Sequence, residues 1–138
     1  MNNQILTRGQ MERSLSQQIQ LLYRTFLGHQ PSKVFCQLID EKLTIVIENS
    51  VTQPEQLLLE EGHRPLAKQV REDLNHLIEP RMREVIESVL STSVLDFLSD
   101  ATLETGRTGV IAILQNPPEI RPSASRRVSH ARSKTISA

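Results

Sequence analysis

The residues of this sequence that could do chemistry are four histidines, one cysteine and a few close groups of charged side chains. His29, His63, His76 and His130 never stand three or four residues from one another, so no helical pair exists to grip a metal ion. Cys36 falls inside the strand-like run Val34–Ile39, with no neighbouring basic group or helix start to lower its thiol pKa. That placement predicts a small buried hydrophobe and not a nucleophile. No GxGxxG or GxxxxGK[ST] loop is present to cradle a phosphate. No GxSxG elbow is present either. The carboxylate pairs Glu60-Glu61 and Glu72-Asp73 lie in helical patterns, where they read as solvated faces. Glu79-Pro80-Arg81-Met82-Arg83-Glu84 mixes signs at helical spacing, the pattern of surface ion pairs. These residues predict no enzyme, no bound metal and no cofactor.

The remaining motif, Arg126-Arg127-Val128-Ser129, has the form that basophilic kinases accept. Phosphate on Ser129 would remove roughly two units of positive charge. The motif sits in a segment unlike the rest. The chain of 138 residues holds 16 Lys+Arg and 16 Asp+Glu, but residues 1–116 carry 11 basic and 15 acidic side chains, whereas residues 117–138 carry five and one. The C-terminal piece also has three prolines, five serines and no aromatic residue, a composition that cannot offset the entropy of ordering it. The expectation is one folded domain over residues 1–116 and a disordered basic tail over 117–138. The acidic domain is not a dedicated nucleic-acid binder, while the tail can contact an acidic surface, its own domain included. A single cysteine excludes an internal disulfide and fits a reducing compartment. No run of eighteen apolar residues spans a membrane, and MNNQILTRGQ is no secretory signal. A cytoplasmic location follows, with at most peripheral membrane contact.

Periodicity supplies the elements that position these groups. Residues 4 to 27 read as an amphipathic helix, with Leu15, Ile19, Leu22 and Phe26 on one stripe and Gly28 as a stop. That stripe either packs on its own domain or forms the seam of a homodimer. Val34–Ile39 and Leu43–Glu48 are strand-like, and their short polar link Asp40-Glu41-Lys42 predicts an antiparallel hairpin, although it lacks the glycine that a tight turn prefers. Thr52-x-x-Glu55 is a capping box before a short helix that ends at Gly62. A longer helical pattern follows from Leu66 to Val89, and Pro80 either kinks it or divides it. Val94–Leu98 and Val110–Leu114 are the last strand-like runs, bounded by the turn-like Ser99-Asp100 and by Gly106 and Gly109. The order α-β-β-α-α-β-β predicts an α+β domain, a mostly antiparallel four-stranded sheet covered by helices on one face.

The succession from Gly28 to Leu114 resembles the YbcI-like or MpsC-like domain family. The residues that carry the resemblance are the hairpin ending in Leu43-Thr44-Ile45-Val46-Ile47-Glu48, Thr52-x-x-Glu55, Leu58-Leu59-x-x-Gly62, Val70-Arg71, Ile86-Glu87, and Val94-x-x-Phe97-Leu98-Ser99-Asp100 before a final apolar strand. Ser91 stands where the family pattern often has Gly. MpsC-like proteins are named for a membrane-potential-generating, cation-translocating system, and the membrane partners of related systems are linked to inorganic-carbon uptake. The resemblance implies a small accessory or regulatory protein that binds another protein, with a membrane transport complex as its partner. It points to Thr52, Glu55, Arg71 and Glu87 as candidate binding positions. Two alternatives stay open: a sensor holding a small, bicarbonate-like anion near Arg71, and attachment of the tail to nucleic acid or membrane.

Overall fold

The computed structural model describes residues 5–122, and the tail residues Arg126, Arg127 and Ser129 lie outside that range. Helix α1 spans Arg8–Leu22 and continues as a π-helical turn over Tyr23–Leu27. It starts later than residue 4 because Thr7 caps it: Thr7 Oγ1 accepts from the Gln10 N–H at 3.2 Å, and the Gln10 side chain returns a bond to Thr7 N–H at 2.9 Å. Gly28 ends the turn in the left-handed region at φ 66°. Strands β1 (Lys33–Ile39) and β2 (Lys42–Glu48) form the hairpin, joined by Asp40 and Glu41. Asp40 takes φ 53°, a conformation that Asp tolerates better than most residues and that replaces the missing turn glycine.

Helix α2 covers Gln53–Glu60 and α3 covers Arg64–Leu90. Pro80 does not divide α3. Its ring removes one donor, but Pro80 and His76, whose carbonyl loses the partner, are both exposed, so water can serve that oxygen. Strands β3 (Val94–Thr102) and β4 (Arg107–Leu114) run longer than the apolar pattern suggests. Ser99-Asp100 and Gly109, which read as turn signals, lie inside the strands because the reversal comes at residues 103–106, where Gly106 has φ 74°. The sheet order is β1-β2-β4-β3, antiparallel throughout.

Alternation decides what each face of the sheet meets. Cys36, Ile45 and Val110 share one row of the inner face, and Leu38, Leu43 and Ala112 the next. Against these rows pack Met11, Leu15, Ile19 and Tyr23 from α1 with its π turn, and Ile78, Met82, Ile86 and Leu90 from α3. A smaller cluster of Val51, Ala67 and Leu103 seats α2 against α3. The stripe considered as a dimer seam is thereby accounted for: Leu15 and Ile19 are fully buried, and Leu22 and Phe26 pack on the same core. It faces its own sheet and offers no seam in the folded chain. Among the described residues, no helix packs on the other face of the sheet.

The boundary at Asn116 also shifts. Residues 117–122 leave the sheet but stay on the domain: Pro118 is buried, Ile120 packs on the core and the Arg121 N–H donates to Leu6 O at 2.9 Å. A compositional break marked where strand-forming residues stop, not where packing stops.

Ser91 closes α3 at φ 55°, a strained conformation for a residue with a Cβ. Ser91→Gly should therefore raise stability by about 0.5–1 kcal/mol, read as a higher urea midpoint at unchanged slope.

Candidate functional site

Thr52 takes an extended backbone at the start of α2, so its N–H and hydroxyl point the same way as the Glu55 side chain one turn later. Both donate to Glu55 Oε2, at 3.0 and 2.8 Å. The opposite side of that carboxylate meets α3, where Arg71 Nε donates to Oε1 and Nη2 to Oε2, each at 2.7 Å. Arg71 Nη2 also donates to Ser50 O at 2.9 Å, and Nη1 to Asn75 Oδ1 at 3.2 Å. Glu55 is 0% and Arg71 3% exposed. A bidentate pair in this setting is a neutral unit, with most of its polar atoms satisfied inside the protein.

The cluster extends to β4 and to the π turn. Ser50 Oγ donates to Gly106 O at 3.0 Å, which leaves the Thr108 hydroxyl to donate to Ser50 Oγ at 2.7 Å. Tyr23 Oη lies buried beside Thr108 and Arg71 without completing a hydrogen bond. Burial pushes its pKa upward, against the opposing pull of the Arg71 charge and the nearby polar groups. Four segments of the chain are thus tied at one point, the 49–52 loop, α2, α3 and β4, with Tyr23 of the π turn packed beside them.

This geometry decides what Thr52, Glu55 and Arg71 can do. Four donors already fill the Glu55 carboxylate, so it has no role to spare as a proton acceptor. The small anion expected as an alternative near Arg71 finds the guanidinium buried and its charge met by Glu55. The anion site gives way to an internal ion pair. Glu87 stands apart from this cluster. Its Oε2 accepts from the Val94 N–H at 2.8 Å while Arg83 Nη1 donates to Val94 O at 3.2 Å, so the two side chains fasten the start of β3 to α3. On the opposite edge of the sheet, Ser16 Oγ donates to Val34 O at 2.5 Å and Glu12 Oε2 accepts from the Leu38 N–H at 2.8 Å. Side chains from the two helices thereby cover part of each edge strand, which limits strand-by-strand pairing with another sheet.

Among the described residues, no group of three or more His, Cys, Asp or Glu is placed to hold a metal ion. Cys36 is buried, and burial followed by the nearby Glu12 charge pushes its thiol up to about 12 from an ordinary 9.0. The sign is that of an acid kept neutral by folding. The stabilisation is complete below pH 9 and is lost as pH rises toward 12. Cys36→Ala should flatten the alkaline limb of the stability–pH curve over that window, measured by urea unfolding at stepped pH.

The apolar surface that sequence reasoning missed is the uncovered face of the sheet. Phe35 and Ile39 on β1, Val46 on β2, Ile111 and Ile113 on β4 and Leu98 on β3 point outward together. Phe35, Ile39, Leu98 and Ile111 are each about half exposed, at 46%, 54%, 59% and 47%. A solvated antiparallel face carries polar residues at these alternate positions. The signal was present in the outward half of each period-two strand, where apolar residues recur without a helix left to cover them. A shallow depression of about 480 Å³ lies at the centre of this face, over Gly109 and between Val46, Leu98 and Ile111.

No helix among the described residues is long and apolar enough to cross a membrane. Neither the curated proteins nor the solved structures contain a significant match to the chain. A family model described as "Na+-translocating membrane potential-generating system (MpsC)" matches residues 7–116, from the Thr7 cap of α1 to just past β4, and the chain belongs to that MpsC family.

Proposed function

We propose that this chain is a non-enzymatic accessory protein that acts by binding other proteins, in the setting of a membrane-potential-generating, cation-translocating system. The observation that carries the reading is the open sheet face, where Phe35, Val46, Ile111, Ile113 and Leu98 lie outward among polar positions on a domain whose core is already closed on the other side. Scattered exposed apolar side chains are ordinary, but a grouped patch marks an interaction surface. The candidate positions support the same reading, because Thr52, Glu55, Arg71 and Glu87 are spent on holding the fold. The family description, a Na+-translocating membrane potential-generating system, supports a membrane setting for this reading.

The test uses affinity-tagged full-length chain and membranes holding the family's cation-translocating complex. The wild type should be retained by these membranes, and Leu98→Glu should lose at least about tenfold in retention while keeping its far-UV spectrum and melting transition. Equal retention of both proteins, or of neither, contradicts the reading.

A further inference from the structure

Gly109 is the residue of the open face that the fold itself does not explain. It sits inside β4, a central strand flanked by β2 and β3, where glycine weakens the strand and offers nothing to pack. Its φ is not in the left-handed region, so no backbone conformation requires glycine. A Cβ built there meets no atom within 4 Å, so no neighbour in the same chain requires it either. A bare position of this kind at the floor of an apolar depression fits close approach by another molecule.

We infer that the molecule seated over Gly109 is a second copy of this chain, packed face to face on the open sheet about a two-fold axis that runs along the strands between β2 and β4. The inference rests on reading this face as a protein-binding surface and names its occupant. Register supplies the first argument. Val46 and Gly109 are directly paired across β2 and β4. The axis between those strands sets each copy's Val46 over the other's Gly109, a projection opposite a gap. Charge supplies the second. Lys33 and Lys42 lie on the β1–β2 side of this face, with Lys42 paired to Glu41 at 3.3 Å, Asp96 and Asp100 lie on β3, and Glu48 and Arg107 neutralise each other at 2.8 Å. The proposed axis lays β1 of one copy along β3 of the other, so that Phe35 and Ile39 lie over Asp100 and Asp96, Lys33 stands one outward position from Asp100, and Lys42 stands one strand from Asp96. A two-fold axis across the strands would instead stack β3 on β3, carboxylates on carboxylates, so the charges select the first arrangement.

Size agrees with a reversible dimer. Four strands at about 4.8 Å spacing and seven residues at about 3.3 Å give a face roughly 19 by 23 Å. That is about 440 Å² on each copy, below the range of stable specific interfaces and in that of weak, transient ones. Aligned sheet packing at about 30° suits two twisted sheets of this kind. The helix-borne side chains on Val34, Leu38 and Val94 cover part of both edges, which favours the face over edge pairing.

Sedimentation velocity on the full-length chain across a concentration series tests this. The wild type should dimerise, and Gly109→Lys should weaken association at least about tenfold. The monomer fold of that variant should survive, because the new side chain enters open space. Lys42→Asp and Asp96→Lys should each weaken the dimer, and the two together should restore most of the loss. A dimer indifferent to Gly109→Lys, or single charge changes that the double fails to rescue, overturns the proposed packing. A chain that stays monomeric overturns it too. If that monomer nevertheless loses membrane retention on Leu98→Glu, the accessory reading stands with a different protein on the face. If retention is indifferent, both readings fall.

Discussion

Arg71→Met should lower the unfolding free energy by about 3–5 kcal/mol. The substitution keeps much of the side-chain volume and removes both donors at 2.7 Å from Glu55, leaving a carboxylate with 0% exposure in the protein interior. Bonds from the Thr52 N–H and hydroxyl remain, but two neutral donors do not replace a guanidinium. The companion double variant, Glu55→Leu with Arg71→Met, should recover much of the loss, since removing both charges ends the desolvation penalty. A remaining deficit of about 1 kcal/mol is expected from the lost cap on the Thr52 N–H. Denaturant unfolding of the two single variants and the double gives the coupling directly. Full additivity would show that the pair is not a unit.

Ile19→Ala should lower stability by about 2–5 kcal/mol, the range for truncating a fully buried aliphatic residue. Ile19 has no exposed surface and packs between α1 and the inner face of the sheet. The same substitution should leave the association of the remaining folded protein unchanged, because the residue contacts its own core. Unfolding and sedimentation on the same samples separate the two effects. Loss of association without loss of stability would return the stripe of Leu15, Ile19, Leu22 and Phe26 to the role of a seam.

Those two variants mark where the sequence was legible. The order of elements could be read because periodicity is local: the alternation of Leu43, Ile45 and Ile47, and the four-three-four spacing from Leu15 to Phe26, each depend on near neighbours. Element ends were harder where local signals conflict with packing. Ser99-Asp100 reads as a turn, yet eight paired positions carry β3 past it to Thr102. Pro80 reads as a break, yet an exposed position lets the helix pass through.

The Glu55–Arg71 pair lies at the limit of such reading. Thr52 already explains Glu55 as a local cap, and nothing in the spacing shows that the same carboxylate meets a guanidinium sixteen residues later. Only the docking of α2 on α3 makes one side chain serve both. The open sheet face was hidden for another reason. Whether an outward Phe35 or Ile111 is covered depends on how many helices the chain has left over, and α1 and α3 are both used on the inner side. The short α2 is committed to its own small cluster.

The claim at the centre of this account is that the open sheet face, and not the helical side, is where the chain meets other proteins. Leu98 on that face and Leu57 on α2 are equally exposed, at 59% and 58%, which makes them a matched pair for site-specific photocrosslinking. With a photoreactive residue at each position in turn, the full-length chain should give a protein adduct from position 98 and none from position 57. Adducts from position 57 alone, or from neither position, would contradict the account.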